Sequence, residues 1–246
     1  MTPRIPSTTG TAPLRGRGSP AVAGDPAARA GADPWLLWQL ADSAFPTGGF
    51  AHSSGLEAAL QSGGVRGRAG LEGWLQASLV QLTHAALPFV NAGYRGDPPL
   101  GEVDDLCEAF TTNHVANRAS RAQGRALLQA ARRIFPDLAA EPPTPPPHSH
   151  QAPVFGAVMR GLGLPHTEAL LLFTFAHVRG VVASAVRLNI IGPMEAQALQ
   201  FRFGPRAREA ADQGARLGLQ DLAQTAPLLD LWHATHDRLH CRLFQT

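Results

Sequence analysis

Residues 42–57 read DSAFPTGGFAHSSGLE and lie between two stretches of apolar residues at helical spacing. Pro46 fixes its own φ angle, and the pair Gly48-Gly49 permits a bend that other residues do not tolerate. Phe50 follows this bend directly. The segment therefore predicts a turn of defined shape, with two interpretations open. Either the turn presents Phe50 on the surface as a docking residue, or its aromatic rings return to the core.

The stretches outside this turn carry helical patterns. Asp33-Pro34 is a cap followed by a proline, and Ser54-x-x-Glu57 has the spacing of a capping box for a short helix ending at Gly63-Gly64. Apolar spacing predicts further helices over residues 71–82, 106–117, 119–135, 167–191, 193–201 and 228–239. Because no stretch alternates with period two between turn signals, the sequence predicts an all-α domain of roughly 8–11 helices.

The composition excludes several classes of protein. The formal net charge of +2 gives no electrostatic case for nucleic acid. All 21 basic residues are Arg, so the chain has no lysine for a Walker A loop or a Schiff base. Its two cysteines, Cys107 and Cys241, are too few for a disulfide framework and fit a reducing cytosol.

Two segments rich in proline divide the chain. Residues 1–33 lack both helical periodicity and the apolar run of a signal peptide, which predicts a disordered leader before an all-α domain over 34–246. Residues 141–150 contain five prolines and end in His148-Ser149-His150, which predicts an extended, flexible loop. The longest apolar run, 169–191, is interrupted by His177, Arg179 and Arg187, which favours a buried helix over a membrane span.

The histidines provide the candidate metal ligands. His233, His236 and His240 follow the spacing i, i+3, i+7 beside Cys241, and imidazole and thiolate suit nickel or zinc. A single helix supplies all of them, however, so an ordinary polar surface face is the other interpretation. His52-Ser53 lacks the sequence of a nucleophile elbow, and Gly48-Gly49 lacks the strand and lysine of a phosphate loop. We therefore expect no catalytic residue, no cofactor and no bound metal.

The helix over 119–135 has two features of its own. Arg118, Arg121 and Arg125 lie at helical spacing and form either a solvated face or a surface for an acidic partner. Ser120-x-x-x-Gly124 permits close approach of another backbone, which indicates packing.

An ordered set of motifs resembles the UreF family of urease accessory proteins. The motifs are the 42–57 segment, Ser120-x-x-x-Gly124-x-x-Leu127, Pro153-Val154-Phe155-Gly156, Ala185-Val186-Arg187-Leu188-Asn189-Ile190-Ile191-Gly192, and the closing run 236–246. The resemblance covers about residues 35–246. The chain departs from the family at 47–50, which read Thr-Gly-Gly-Phe where Ile-Gly-Ser-Tyr is frequent, and at Asp237 and Thr246, where Glu and Ser are usual.

The resemblance implies a function and a site. Members of the family are cytosolic homodimers that bind UreD (UreH in some organisms), recruit and regulate the GTPase UreG, and help nickel reach apo-urease. They are chaperones and not enzymes. The resemblance places the partner-binding surface at Pro46, Thr47, Gly48, Gly49, Phe50 and Arg242, with Arg242 ordering the closing segment through bonds to backbone carbonyls. The alternatives are a small all-α enzyme and a nickel-storing metallochaperone that uses the histidines.

Overall fold

The structure is a computed structural model, and it describes Met1 and residues 33–136 and 144–246. The leader predicted for residues 1–33 and the first prolines of the 141–150 loop lie almost entirely outside the described residues. Within the described ranges the regular secondary structure is helical throughout, without a strand, so the all-α prediction is confirmed.

Ten α-helices are present in the described parts of the chain. Three short 3₁₀ segments accompany them, at Gly49–Ala51, Leu219–Asp221 and His236–Arg238. The α-helices are α1 (Pro34–Ala41), α2 (Leu56–Gln61), α3 (Gly67–Ala85), α4 (Leu87–Arg95), α5 (Leu100–Phe110), α6 (His114–Ile134), α7 (Gln151–Gly161), α8 (His166–Arg187), α9 (Pro193–Gly214) and α10 (Pro227–Thr235).

Helix α8 lies at the centre of the fold. It packs along α9 and also contacts α1, α2, α3, α4, α7 and the Gly49–Ala51 segment. By length and composition alone it is apolar enough to cross a membrane, but its apolar residues form part of the core. The three residues that interrupt its apolar run each bond to another segment: His177 to the Ser78 hydroxyl, Arg179 to the Ala41 carbonyl and Arg187 to the Phe50 carbonyl. The prediction of a buried helix is therefore confirmed.

Some helix boundaries differ from those predicted. The single helix predicted over 106–117 is two helices in the structure, since α5 ends at Phe110 and α6 begins at His114. Asn113 caps α6, and its side chain accepts hydrogen bonds from the Val115 and Ala116 amides. Helix α8 ends at Arg187 rather than 191, and Asn189 just beyond it has a left-handed φ of 56°. The predicted helix over 228–239 ends at Thr235, where a 3₁₀ turn takes over.

The predicted capping box at Ser54 is wrong. Gly55, with φ of 86°, precedes α2, and no side chain caps that helix. Ser54 is exposed with φ of 53°. The Glu57 carboxylate is buried and faces distant parts of the chain instead of its own helix terminus.

The described part of the Pro-rich loop is firmly held, in contrast to the flexible loop that we predicted. The carboxylate of Asp104, on α5, accepts the amides of His148, Ser149 and His150 at 2.7, 2.9 and 2.8 Å. His150 is buried, with its ring between the Ser120 hydroxyl and a Glu108 carboxylate oxygen. A buried acid with three backbone donors explains this order.

Glycines allow the closest helix contacts. A Cβ at Gly124 would lie 2.8 Å from the His150 carbonyl carbon, so the predicted packing role of this glycine is confirmed. Helices α4 and α7 cross at Gly93 and Gly156, where a Cβ on Gly156 would lie 2.6 Å from the Tyr94 nitrogen.

We expect Gly156→Ala to lower the free energy of unfolding by about 1–3 kcal/mol, because the added methyl group forces two backbones apart. Gly73→Ala on α3 is the matched control: a Cβ there meets nothing within 4 Å, and alanine raises helix propensity by about 1 kcal/mol. Urea unfolding of both variants measures the difference. If both substitutions changed the free energy of unfolding by the same amount, the close backbone contact at Gly156 would be contradicted.

Candidate functional site

The turn segment, Pro46–Phe50, is a preformed surface feature. Gly48 has φ of 73°, and the 3₁₀ segment Gly49–Ala51 follows it. Pro46 and Gly48 are exposed, while Thr47 and Gly49 are half-buried. Phe50 is 67% exposed. The left-handed angle at Gly48 is the bend that the sequence predicted, and it turns Phe50 outward.

The two aromatic rings of residues 42–57 have opposite positions. Phe45 is buried and stacks on Phe135 with ring centroids 6.2 Å apart. Phe50 projects from the surface. Phe45 therefore returns to the core and Phe50 lies on the surface, while docking through Phe50 stays a prediction.

The tail, Cys241–Thr246, lies along the residues that follow the turn segment. The Gln245 amide donates to the Ala51 carbonyl at 2.8 Å, and the Ser53 amide donates to the Thr246 carbonyl at 2.6 Å. These bonds pair two backbone segments that are far apart in sequence. The turn and the tail consequently form one continuous surface.

A buried acid anchors the tail. Glu57 on α2 is 1% exposed, and its carboxylate accepts the Leu243 amide at 2.7 Å and the Phe244 amide at 3.3 Å. His236 Nε2 lies 3.0 Å from the same carboxylate and donates to it. Three donors from residues 236–244 therefore satisfy one carboxylate, which fixes the start of the tail against α2.

Arg187 connects the tail to the turn segment. Its guanidinium carbon lies 4.1 Å from the ring centroid of Phe50 and 4.0 Å from that of Phe244. The same guanidinium donates to the Phe50 carbonyl and, at 3.3 Å, to the Leu243 carbonyl. In the sequence, Arg187 interrupts an apolar run and belongs to a family motif, and neither pattern predicts a place for it in the site.

Arg242 lies at the edge of this surface. Its side chain is exposed, and its guanidinium lies 3.5 Å from an Asp237 carboxylate oxygen. The bonds to backbone carbonyls that we expected from Arg242 come from Arg187 instead. Arg242 is thus an exposed residue of the tail whose charge lies next to Asp237.

The arginines of α6 are engaged within the chain. We had left open whether they form a solvated face or bind an acidic partner. Their partners are Asp237 for Arg118 at 2.8 Å, Glu108 for Arg121 at 3.6 Å and the His148 carbonyl for Arg125 at 3.5 Å.

The histidines of the last helix do not share a polar surface face. Helix α10 ends before His236, which is fully buried against Glu57, whereas His240 is exposed. His233 approaches the backbone of Gly55. Over residues 33–136 and 144–246, no three His, Cys, Asp or Glu side chains are grouped to hold a metal ion.

We expect Glu57→Gln to lower the free energy of unfolding by about 1–3 kcal/mol. Glutamine keeps the size of the side chain but offers one acceptor oxygen, so a buried donor loses its partner. Exchange of the Leu243 and Phe244 amides should become faster by hydrogen-exchange mass spectrometry. The control is Glu72→Gln, because Glu72 pairs with Arg68 and Arg202 at the solvent-exposed surface, where ion pairs add little to stability. A Glu57→Gln variant as stable as this control would contradict the anchor.

Acid should destabilise the fold through His233. Its Nε2 is buried without a hydrogen-bond partner, and burial lowers the pKa of His233 from 6.5 to about 4, with positive charge on His236 and His52 acting in the same direction. The unfolded chain therefore binds a proton between pH 6.5 and about 4 that the folded chain does not. Stability falls as the pH falls through this window, by up to about 1.4 kcal/mol per pH unit.

Urea unfolding at several pH values between 4 and 7 measures this slope. His233→Gln should reduce the slope by about one proton, whereas His240→Gln at an exposed position should leave it unchanged. An identical slope in the wild type and in His233→Gln would show that the buried imidazole does not titrate as described.

The fold and the site define an all-helical protein whose distinctive surface is a fixed turn joined to a docked tail. Comparison with known proteins identifies its family. The UreF family model matches residues 65–204. The chain belongs to the UreF family, whose relatives are named as urease accessory proteins.

The relatives match over most of their own length. Urease accessory protein F of Oryza sativa subsp. indica is 34% identical over 221 residues, covering 86% of this chain and 85% of the relative. The Arabidopsis thaliana protein of that name is 34% identical over 220 residues, with 85% and 91% covered. Urease accessory protein UreF of Mycobacterium tuberculosis strain H37Rv is 36% identical over 204 residues, with 82% and 93% covered. These names describe helper proteins, in agreement with the expectation that the chain is not an enzyme.

Proposed function

We propose that this chain is a scaffold for urease maturation. It acts as a homodimer in the cytoplasm, binds UreD (UreH), recruits and regulates the GTPase UreG, and thereby assists nickel insertion into apo-urease. Membership of the UreF family, whose relatives are named as urease accessory proteins, supports a role in urease maturation. The partner-binding residues in this proposal are Pro46, Thr47, Gly48, Gly49, Phe50 and Arg242.

The observation that carries the proposal is the exposure of Phe50 on a turn that is already ordered. A phenylalanine that is 67% exposed buries little apolar area in the isolated chain, and aromatic anchors contribute strongly to binding. Leu243 beside it is also largely exposed, and Arg242 adds a positive charge. An apolar centre with a charged edge is the composition typical of a protein-binding surface.

The GTPase is the partner assigned to this surface. The two residues that the family resemblance links to UreG recruitment, Phe50 and Arg242, lie on it. Nickel in this proposal is cargo of the assembled complex, and none of the described side chains of this chain is assigned to hold it.

We expect Phe50→Ala and Arg242→Ala each to weaken capture of UreG by the complex of this chain with UreD. The loss of an interface anchor costs more than about 1–2 kcal/mol, or roughly tenfold in affinity. A pull-down titration with purified UreG measures this, and urease activation in a reconstituted assay should fall in parallel.

Two further variants serve as controls. Phe50→Tyr keeps the ring and should bind UreG nearly as tightly as the wild type. Arg208→Ala removes an exposed arginine from α9 and should have no effect. If Phe50→Ala and Arg242→Ala bind UreG as tightly as the wild type while remaining folded by circular dichroism, the proposed role of this surface is wrong.

A further inference from the structure

We infer that Arg187 is the positioning residue of the turn-and-tail surface: its guanidinium fixes Phe50 and the tail relative to each other and to the core. The inference rests on the proposed function for what the surface binds. Arg187 lies outside the turn and the tail, on the central helix α8. The placement of the turn relative to the tail depends on its guanidinium.

The contacts of Arg187 support this role. The guanidinium carbon lies over both rings, 4.1 Å from the Phe50 centroid and 4.0 Å from the Phe244 centroid. Both distances are within the range of a cation–π contact. Hydrogen bonds to the Phe50 and Leu243 carbonyls tie the two backbones to the same group. One side chain therefore makes four contacts across the junction.

The two rings that it joins have different surroundings. Phe244 is 4% exposed and therefore enclosed by the folded chain, whereas Phe50 is mostly exposed and follows two glycines. Glycine gives the turn backbone more freedom than any other residue. The orientation of Phe50 consequently depends on contacts from outside the turn, and Arg187 supplies one to its ring and another to its carbonyl.

Arg187 is well placed to transmit rigidity. It is the last residue of α8, the central helix, and a positive charge at a helix C-terminus is favourable. The turn and the tail are thus linked to the central helix of the fold. An ordered surface loses less conformational entropy on binding, so this link should increase affinity without any contact between Arg187 and the partner.

The chemistry requires arginine. A guanidinium is planar, has two faces for two rings and has five N–H donors in fixed directions. A lysine ammonium at the same position keeps the charge but has neither the planar face nor the fixed fork of donors with which a guanidinium contacts aromatic rings and bonds two carbonyls at once. Glutamine removes the charge and most of the donors.

The first test measures the order of the surface in the chain alone. Hydrogen exchange of the Ser53 and Gln245 amides, which bond across the junction, should become about tenfold faster in Arg187→Gln. The control is Arg208→Gln. Arg208 lies on α9, roughly 22 Å from the first residue of that helix, so the exchange of the Ser53 and Gln245 amides should stay unchanged in this variant. Unchanged exchange in a folded Arg187→Gln variant would overturn the inference, whether or not the surface binds UreG.

The second test measures coupling in the complex with UreD. If Arg187 acts through Phe50, Arg187→Gln weakens UreG capture, but the double variant Arg187→Gln/Phe50→Ala binds no more weakly than Phe50→Ala. Additive losses would show that the two residues act separately and would overturn the inference. So would full binding by Arg187→Lys, because the charge alone would then suffice. If Phe50→Ala itself has no effect, the proposed function fails, and the exchange test still decides the role of Arg187.

Discussion

The buried carboxylate of Glu57 is the constraint on which the surface of this protein depends. A carboxylate removed from water is tolerated only when hydrogen-bond donors replace its hydration. Here the donors are the imidazole of His236 and the amides of Leu243 and Phe244. All three come from residues 236–244, so satisfying one side chain on α2 brings the first part of the tail against that helix.

Asp104 on α5 holds a second non-helical segment in the same way. Its carboxylate collects three consecutive amides from residues 148–150 and orders a segment that its prolines exclude from helices. Both of these acids lie on helices, and both bind backbone N–H groups of segments without regular α-helix. Charge-assisted bonds to backbone donors are stronger than neutral ones, which compensates for the helical bonds that such segments lack.

The features that the sequence predicted correctly depend on residues that are close together along the chain. The all-α class, the starts of α1 and α9 and the bend at Gly48 follow from local patterns, whereas those patterns left open whether the Phe50 ring lies outside or in the core. The roles of Glu57 and Arg187 could not be predicted in this way. Ser54-x-x-Glu57 has the spacing of a capping box, but the partners of Glu57 are 179 to 187 residues away. Arg187 likewise bonds to a carbonyl 137 residues distant, and no periodic pattern reports such a contact.

The position of the site on short segments has a physical consequence. A turn and a tail have little core of their own, so their shape must come from a few specific bonds to the rigid helices behind them. Glu57 on α2 holds the start of the tail, and Arg187 on α8 holds the tail to the turn. Because the cost of ordering both segments is met within the folded chain, a partner that contacts Phe50 would not have to meet it again on binding. The irregular segments present the contact residues, and the buried polar groups of the helices determine where those residues lie.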